Sequence, residues 1–174
     1  MAVGAIPTKG ATIWYNGSMN ELITMLKALL ADTVALKFKA HGYHWNVEGH
    51  DFPQAHEFFE TVYNDYEGAI DGFAESIRRL DIYAPFKLSR FIELSKNVVE
   101  TDVTSDFQVM AYDLLQSNDA VLVKLKDVFD VSNTAREQGI ANFLAERIDM
   151  HSKWHWQLKA ICKTMMPEES SSAS

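Results

Sequence analysis

Hydrophobic residues recur at helical spacing along most of the chain. Between about Asn20 and Gly42, apolar side chains return every three or four residues, and Ser18 or Asn20 can serve as the N-cap. From Pro53 to Leu80 the same period continues through aromatic and aliphatic residues. The pattern predicts two long helices, A and B, joined by a turn over 46–53 that contains a glycine and a proline.

The second half of the chain repeats this organisation after an interruption. The stretch from Asp81 to Asp102 is broken by Pro85 and has room for one short helix, Leu88 to Leu94, inside a long crossover. Two further helical patterns, about 105–131 and 134–166, predict helices C and D. No strand pattern or internal repeat is present in the sequence, so the predicted fold class is all-α, a four-helix bundle with a short extra helix in the B–C crossover.

Size and patterning suggest one domain. The 174 residues, 47% of them hydrophobic, suffice for a single well-buried core. We expect an N-terminal extension over 1–18, the bundle over 19–166 and a disordered tail over 167–174. No stretch resembles a signal peptide or a membrane span, which predicts a cytoplasmic protein without membrane contact.

Charge and cysteine content exclude several function classes. The formal net charge of -8 repels nucleic acid and anionic membranes unless positive charges cluster, and the sequence contains no such cluster. The single cysteine, Cys162, rules out an intrachain disulfide and any cysteine-based zinc site.

Five potential metal ligands lie close together in sequence. His44 stands near the end of helix A, and His56, Glu60, Asp71 and Glu75 follow along helix B. At about 100° per residue, the last three fall roughly 40°, 60° and 100° from His56, so all four share one stripe of helix B. Four ionisable groups on one face of a largely apolar helix predict a function for that face.

These ligands form two half-sites. His56 with Glu60 and Asp71 with Glu75 are i, i+4 pairs, each able to bind one ion from adjacent turns. Fifteen residues separate His56 from Asp71, or roughly 22 Å along the helix, which is too far for one ion. Antiparallel packing of helix B against helix B of a second copy, across a two-fold axis, would create two identical composite sites. Histidine and carboxylate ligands without thiolates suit ferrous iron.

The residues that surround these ligands resemble those of the Dps proteins, the mini-ferritins of the ferritin-like superfamily. The resemblance rests on His44-Trp45-Asn46-Val47-x-Gly49, on Phe52, His56, Asp71 and Ala74-Glu75, and on the closing segment from Leu144 to Ala160. It implies a ferritin-like bundle that assembles into a hollow homododecamer, oxidises Fe(II) with hydrogen peroxide or oxygen at intersubunit sites, and stores ferric mineral. The sequence also lacks Glu-x-x-His, so it cannot form the di-iron site that ordinary ferritins hold within one bundle.

Carried over by residue, the resemblance implies that His44 and His56 are iron ligands from one subunit. Asp71 and Glu75 correspond to carboxylate ligands from its neighbour, and Trp45 to a tryptophan beside the site that donates electrons to a reactive oxidant. Glu60 stands where the family usually has aspartate. The expected site residues are therefore these five ligands together with Trp45.

Two departures from the family bear on function. Ser76 follows Glu75 where arginine is common. The lysine-rich terminal tail that lets some members condense DNA is absent from this sequence, since residues 1–18 contain only Lys9. Because binding to DNA by counterion release needs several cations, we expect little or no DNA binding.

Alternatives remain open at this point. A zinc or manganese hydrolase would require His41, His44 and either His151 or His155 to converge within one chain. A non-enzymatic protective shell would carry the same residues as a vestigial site. His151 and His155 favour packing or subunit contact over metal binding, and acidic residues such as Glu137 and Glu146 are weaker candidates for an iron entry pore.

Overall fold

Five α-helices make up nearly all of the computed structural model, which describes residues 9–165, with side chains from residue 17 onward. Over these residues the only extended pairing is one isolated bridge between Glu48 and Asp106. The helices are, in chain order, α1 (Lys9–Asn46), α2 (Phe52–Arg79), α3 (Leu88–Leu94), α4 (Phe107–Thr134) and α5 (Gln138–Ile161), with a final 3-10 turn at Lys163–Met165.

The all-α prediction is confirmed, and α3 has the predicted bounds. The main difference is that α1 begins at Lys9 rather than near Asn20. No proline stands between these two residues, and the glycines at 10 and 17 lower helix propensity by about 1 kcal/mol each without breaking a helix. The proposed 1–18 extension is thus partly helical, while residues 1–8 and the 167–174 tail lie outside the described residues.

The long crossover returns the chain to the end of the bundle from which α2 starts. The backbone N–H of Glu48, in the α1–α2 turn, donates to the carbonyl of Ser105 at 3.0 Å, just before α4 begins. There the Asp106 side chain caps α4 by accepting from the backbone N–H of Val109. Since α2 and α4 begin side by side, they point the same way, as expected for a bundle with one long crossover.

The crossover is fixed to α1 by one buried carboxylate. Asp32 is fully buried and accepts four hydrogen bonds, from the Ser95 hydroxyl, the backbone N–H groups of Lys96 and Asn97, and the Asn97 amide. These bonds hold the segment that follows α3 against the middle of α1.

The core lies where α1 packs against α2 and α4, and where α4 packs against α5. Its largest fully buried side chains include Phe59, Tyr66 and Phe73 of α2, which recur at helical spacing on one face. This face is turned away from the stripe of potential ligands. Within residues 9–165, no helix is both long enough and apolar enough to cross a membrane.

Candidate metal centre

His44 and His56 lie against each other where α1 ends and α2 begins. Nδ1 of His44 is 2.9 Å from the carbonyl oxygen of His56, and Nδ1 of His56 is 2.8 Å from the carbonyl oxygen of His44. Their rings stack with centroids 3.6 Å apart. The short turn between them permits this pairing, because Gly49 adopts a φ of 117° that other residues rarely reach.

The reciprocal bonds fix the tautomer of both rings. A carbonyl oxygen can only accept, so each Nδ1 carries the hydrogen and donates it. In the neutral imidazole each Nε2 therefore keeps its lone pair. A histidine whose Nδ1–H donates to a carbonyl while Nε2 is unprotonated is the usual arrangement of a metal-ligating imidazole.

The three carboxylates of the predicted site lie on the exposed surface of α2. Glu60, Asp71 and Glu75 are all exposed, and none forms a hydrogen bond or ion pair with the described part of the chain. Glu60 stands one turn after His56. Because α2 is a continuous helix, Asp71 remains roughly 22 Å beyond His56 along its axis.

Within one chain these residues do not form a complete ligand set. No three His, Cys, Asp or Glu side chains among the described residues lie close enough to hold an ion together. The structure thus brings the two histidines together and leaves Asp71 and Glu75 apart from them. The convergence of three histidines that the hydrolase alternative requires is also missing from this part of the chain.

Aromatic rings surround the histidine pair. His41 stacks on Tyr63 at 4.1 Å between centroids and contacts Trp45 at 4.3 Å, and Tyr63 lies 5.3 Å from the ring of His44. Trp45 itself is 56% exposed, beside the proposed site.

The environment of His41 favours its neutral form. Partial burial contributes most to lowering its pKa, the positive charge of Lys37 and the nearby His44 lower it further, and Glu67 opposes them. A neutral ring can stack on Tyr63 without introducing a charge beside His44 and His56.

A second polar cluster, in the bundle centre, was not predicted from the sequence. Asp65 accepts two hydrogen bonds from the Arg147 guanidinium, at 3.0 and 2.7 Å, and one from the Trp154 indole at 2.7 Å. Burial raises the pKa of Asp65, but the hydrogen bonds from Arg147 and Trp154 outweigh burial and hold it below its usual value. Asp65 lies about 180° from His56 around α2, and that angle is the sequence signal that could have identified it as core-facing.

The remaining candidate residues take separate places. His151 is buried in the core, whereas His155 is partly exposed, with Nδ1 2.7 Å from the Asp119 carboxylate. Glu137 directly precedes α5 and Glu146 is exposed on it.

Comparisons with known proteins agree with this architecture. The ferritin-like domain family matches residues 23–166, which is most of the chain. A curated relative, the DNA protection during starvation protein of Helicobacter pylori, is 29% identical over 78% of this chain and 94% of its own length.

Solved Dps structures show the same fold. The Dps protein of Bacillus brevis is 26% identical and superposes with a TM-score of 0.79 over 83% of this chain and 96% of its own. The Dps protein of Vibrio cholerae, described as a member of a broad superfamily of ferritin-like diiron-carboxylate proteins, is 25% identical, with a TM-score of 0.78 over 83% of this chain and 90% of its own. The chain therefore belongs to the ferritin-like family and, within it, to the Dps proteins.

Proposed function

We propose that the protein is a Dps-like ferroxidase and iron store that assembles as a cytoplasmic homododecamer. Fe(II) is its substrate, and hydrogen peroxide or oxygen its oxidant. The observation that carries the proposal is the histidine pair, whose two Nδ1–H groups are held by backbone carbonyls so that both Nε2 atoms remain free to bind an ion.

The carboxylates supply the other half of the site. Asp71 and Glu75 are exposed and unpaired within the described chain, which costs little in water and leaves their oxygens available. If α2 packs antiparallel on α2 of a second copy, the carboxylate end of one chain meets the histidine end of the other. Each pair of chains then completes two sites, each with His44, His56 and Glu60 from one chain and Asp71 and Glu75 from the other.

An apolar surface next to the histidines favours this pairing. Phe38, Leu88 and Ile92 are 63%, 76% and 73% exposed, and they line a groove of about 620 Å³ between α1, α3 and the crossover. The ring of Phe38 also contacts Trp45, with centroids 6.2 Å apart, so the groove and the histidine half-site form one continuous face. Exposed apolar surface of this extent marks an interaction site, and a second copy would bury it.

The donor set fits the proposed chemistry. Imidazole and carboxylate ligands bind Fe(II) without forming a closed structural site, so an oxidant can reach the metal. Peroxide takes up two electrons, so each molecule oxidises two Fe(II) ions to Fe(III), which hydrolyses, releases protons and is stored as mineral. Trp45, exposed beside the half-site, is placed to donate an electron to an oxidant that escapes reduction by iron.

Subunit complementation tests the shared site. His44→Ala and Asp71→Ala each remove one half of every composite site, so each variant alone should lose most of its initial Fe(II) oxidation rate. After the two variants are unfolded together and reassembled, half of the two-fold pairs are mixed. Each mixed pair contains one intact site and one doubly defective site, so about a quarter of the wild-type rate should return.

The controls distinguish loss of the metal site from misfolding or failed assembly of the variants. The His44→Ala/Asp71→Ala double variant carries both defects in one chain and should gain nothing from reassembly. His50→Ala removes an exposed imidazole from the α1–α2 turn and should oxidise iron at the wild-type rate. If the single variants keep their activity, these residues are not the site. If the mixture gains no activity although mass spectrometry shows mixed oligomers, the site is not shared between chains.

Protection of DNA by coating is not part of the proposal. The formal net charge of -8 disfavours counterion release on a phosphate backbone. We expect no gel shift of duplex DNA at physiological salt, whereas protection of DNA from iron and peroxide should depend on His44 and Asp71. A non-enzymatic shell would instead protect equally well in the variant lacking both residues.

A further inference from the structure

Polar side chains from three helices meet in the centre of the bundle. Asp65 and Tyr66 come from α2, Asn118 from α4, and Arg147 and His151 from α5. Tyr66, Asn118 and His151 are at most 1% exposed. None of these five residues belongs to the proposed iron site.

His151 is the exception in an otherwise paired cluster. Both of its ring nitrogens are buried and have no hydrogen-bond partner among the described residues. Two polar neighbours bind elsewhere: the Tyr66 hydroxyl donates to the Asn118 side-chain oxygen at 3.1 Å, and the Asn118 amide donates to the backbone carbonyl of His151 at 3.0 Å. The imidazole therefore has no hydrogen-bond partner within the described chain.

Arg147 presents a third unpartnered atom from the same side of α5. Its two terminal nitrogens bind Asp65, but its Nε is buried without a partner in the described chain. Arg147 and His151 are four residues apart and so lie one above the other on the helix. The His151 ring, which lies 5.4 Å from the Tyr66 ring of α2, and the Nε of Arg147 thus lie on the side of α5 that faces α2.

The charges around this region select the ligand. The Arg147 guanidinium disfavours a cation, and the Asp65 carboxylate disfavours an anion. A neutral imidazole needs an acceptor for its N–H and a donor for its other nitrogen, and the Nε–H of Arg147 needs an acceptor. Water is the small neutral molecule that both donates and accepts, and buried waters typically bind polar groups that the protein leaves unpaired.

We propose that this cluster is an internal water site, in which ordered water binds the ring of His151 and the Nε–H of Arg147. The water bridges two side chains of α5, beside the pair that links Arg147 to Asp65 of α2. Burial and the nearby Arg147 charge lower the pKa of His151, so the imidazole is neutral. A neutral ring has one N–H donor and one acceptor nitrogen, and water can bind to either.

Crystallography of the assembled wild-type protein, at a resolution that shows ordered water, tests the proposal directly. We expect density for water within hydrogen-bond distance of a His151 ring nitrogen and of Arg147 Nε in every subunit. Apolar contacts around both ring nitrogens, a protein group bound to them, or an anomalous signal from a metal would each overturn the proposal.

Thermal unfolding gives a second, independent measurement. His151→Leu removes the imidazole and leaves the Nε–H of Arg147 without its water, so we expect a Tm below that of wild type. A dry, unpaired imidazole would give the opposite sign, because a leucine in its place relieves the cost of a buried polar ring. The control is His155→Leu, one turn further along, where the ring is partly exposed. This substitution should change Tm less than His151→Leu does.

Discussion

Acidification is expected to destabilise the protein through His151. The pKa of this residue is lowered to about 3, from 6.5 for an unburied histidine; burial is the main cause, the neighbouring Arg147 adds to it and Asp65 opposes it. The unfolded chain therefore binds a proton near pH 6.5 that the folded chain does not bind until about pH 3. The contribution of His151 to the free energy of unfolding is therefore fully present above pH 6.5 and is lost as the pH falls from 6.5 to about 3.

The size of the effect follows from the proton linkage. Well between these pKa values each pH unit costs about 1.4 kcal/mol, and because the unfolded histidine is only half protonated at pH 6.5, the decrease from pH 6.5 to about pH 4.5 amounts to roughly 2 kcal/mol. Asp65 does not contribute in this range, because its pKa lies below the usual value of 3.8. His41 shifts in the same direction as His151 and remains in every variant, so comparison between variants removes its contribution.

Urea unfolding at several pH values measures this slope. Wild type is compared with His151→Gln and His151→Phe at one protein concentration, since the stability of an oligomer depends on concentration. Both variants should lose about 2 kcal/mol less than wild type over the two pH units, because neither new side chain titrates. Parallel curves for wild type and both variants would refute the assignment of a neutral, buried His151.

Four further substitutions test packing and the buried polar contacts. Gly72→Ala would place a Cβ 2.5 Å from the ring of Phe143, so the free energy of unfolding should fall by about 1 kcal/mol. Gly68→Ala, on the same helix, places a Cβ with no atom within 4 Å, so the free energy of unfolding should rise by up to about 1 kcal/mol. Asp32→Ala leaves buried donors of the crossover unpaired and should cost at least about 2 kcal/mol, measured by urea unfolding, with faster proteolysis after α3. Arg147→Met leaves a largely buried carboxylate of α2 without its cation and should cost about 3 kcal/mol by the same assay; an unchanged midpoint would contradict the pairing.

The sequence predicts most of the fold because periodicity reports which residues share a face. The four long helices follow from that signal, whereas the prediction of α3 rests on the room for one short helix after Pro85. The position of Asp65 about 180° from His56 follows from it too, but its bonds to Arg147 do not, since 82 residues separate the two and no local pattern fixes how α2 and α5 approach. Helix starts are similarly hard to predict, because the first turns of α1 contain no residue that forbids or requires a helix.

The candidate site, like the fold, could be predicted from the sequence only in part. Helical angles placed the four α2 ligands on one stripe, and the rise per residue separated them into two halves. The reciprocal bonds between His44 and His56 could not be predicted, because they depend on how closely the turn brings two helix ends together. Those bonds place the hydrogen on Nδ1 of each ring, and the proposed ligand role of both histidines depends on that tautomer.

The turn between the two histidines also bears on the order of events during biogenesis. Only 12 residues separate the paired groups, so the hairpin that contains them closes at a small entropic cost and on a short timescale. A newly made chain can therefore present two free Nε2 atoms before it encounters another copy. On the proposed arrangement, such a chain holds an iron ion only transiently, and association with a second chain becomes the step that retains it.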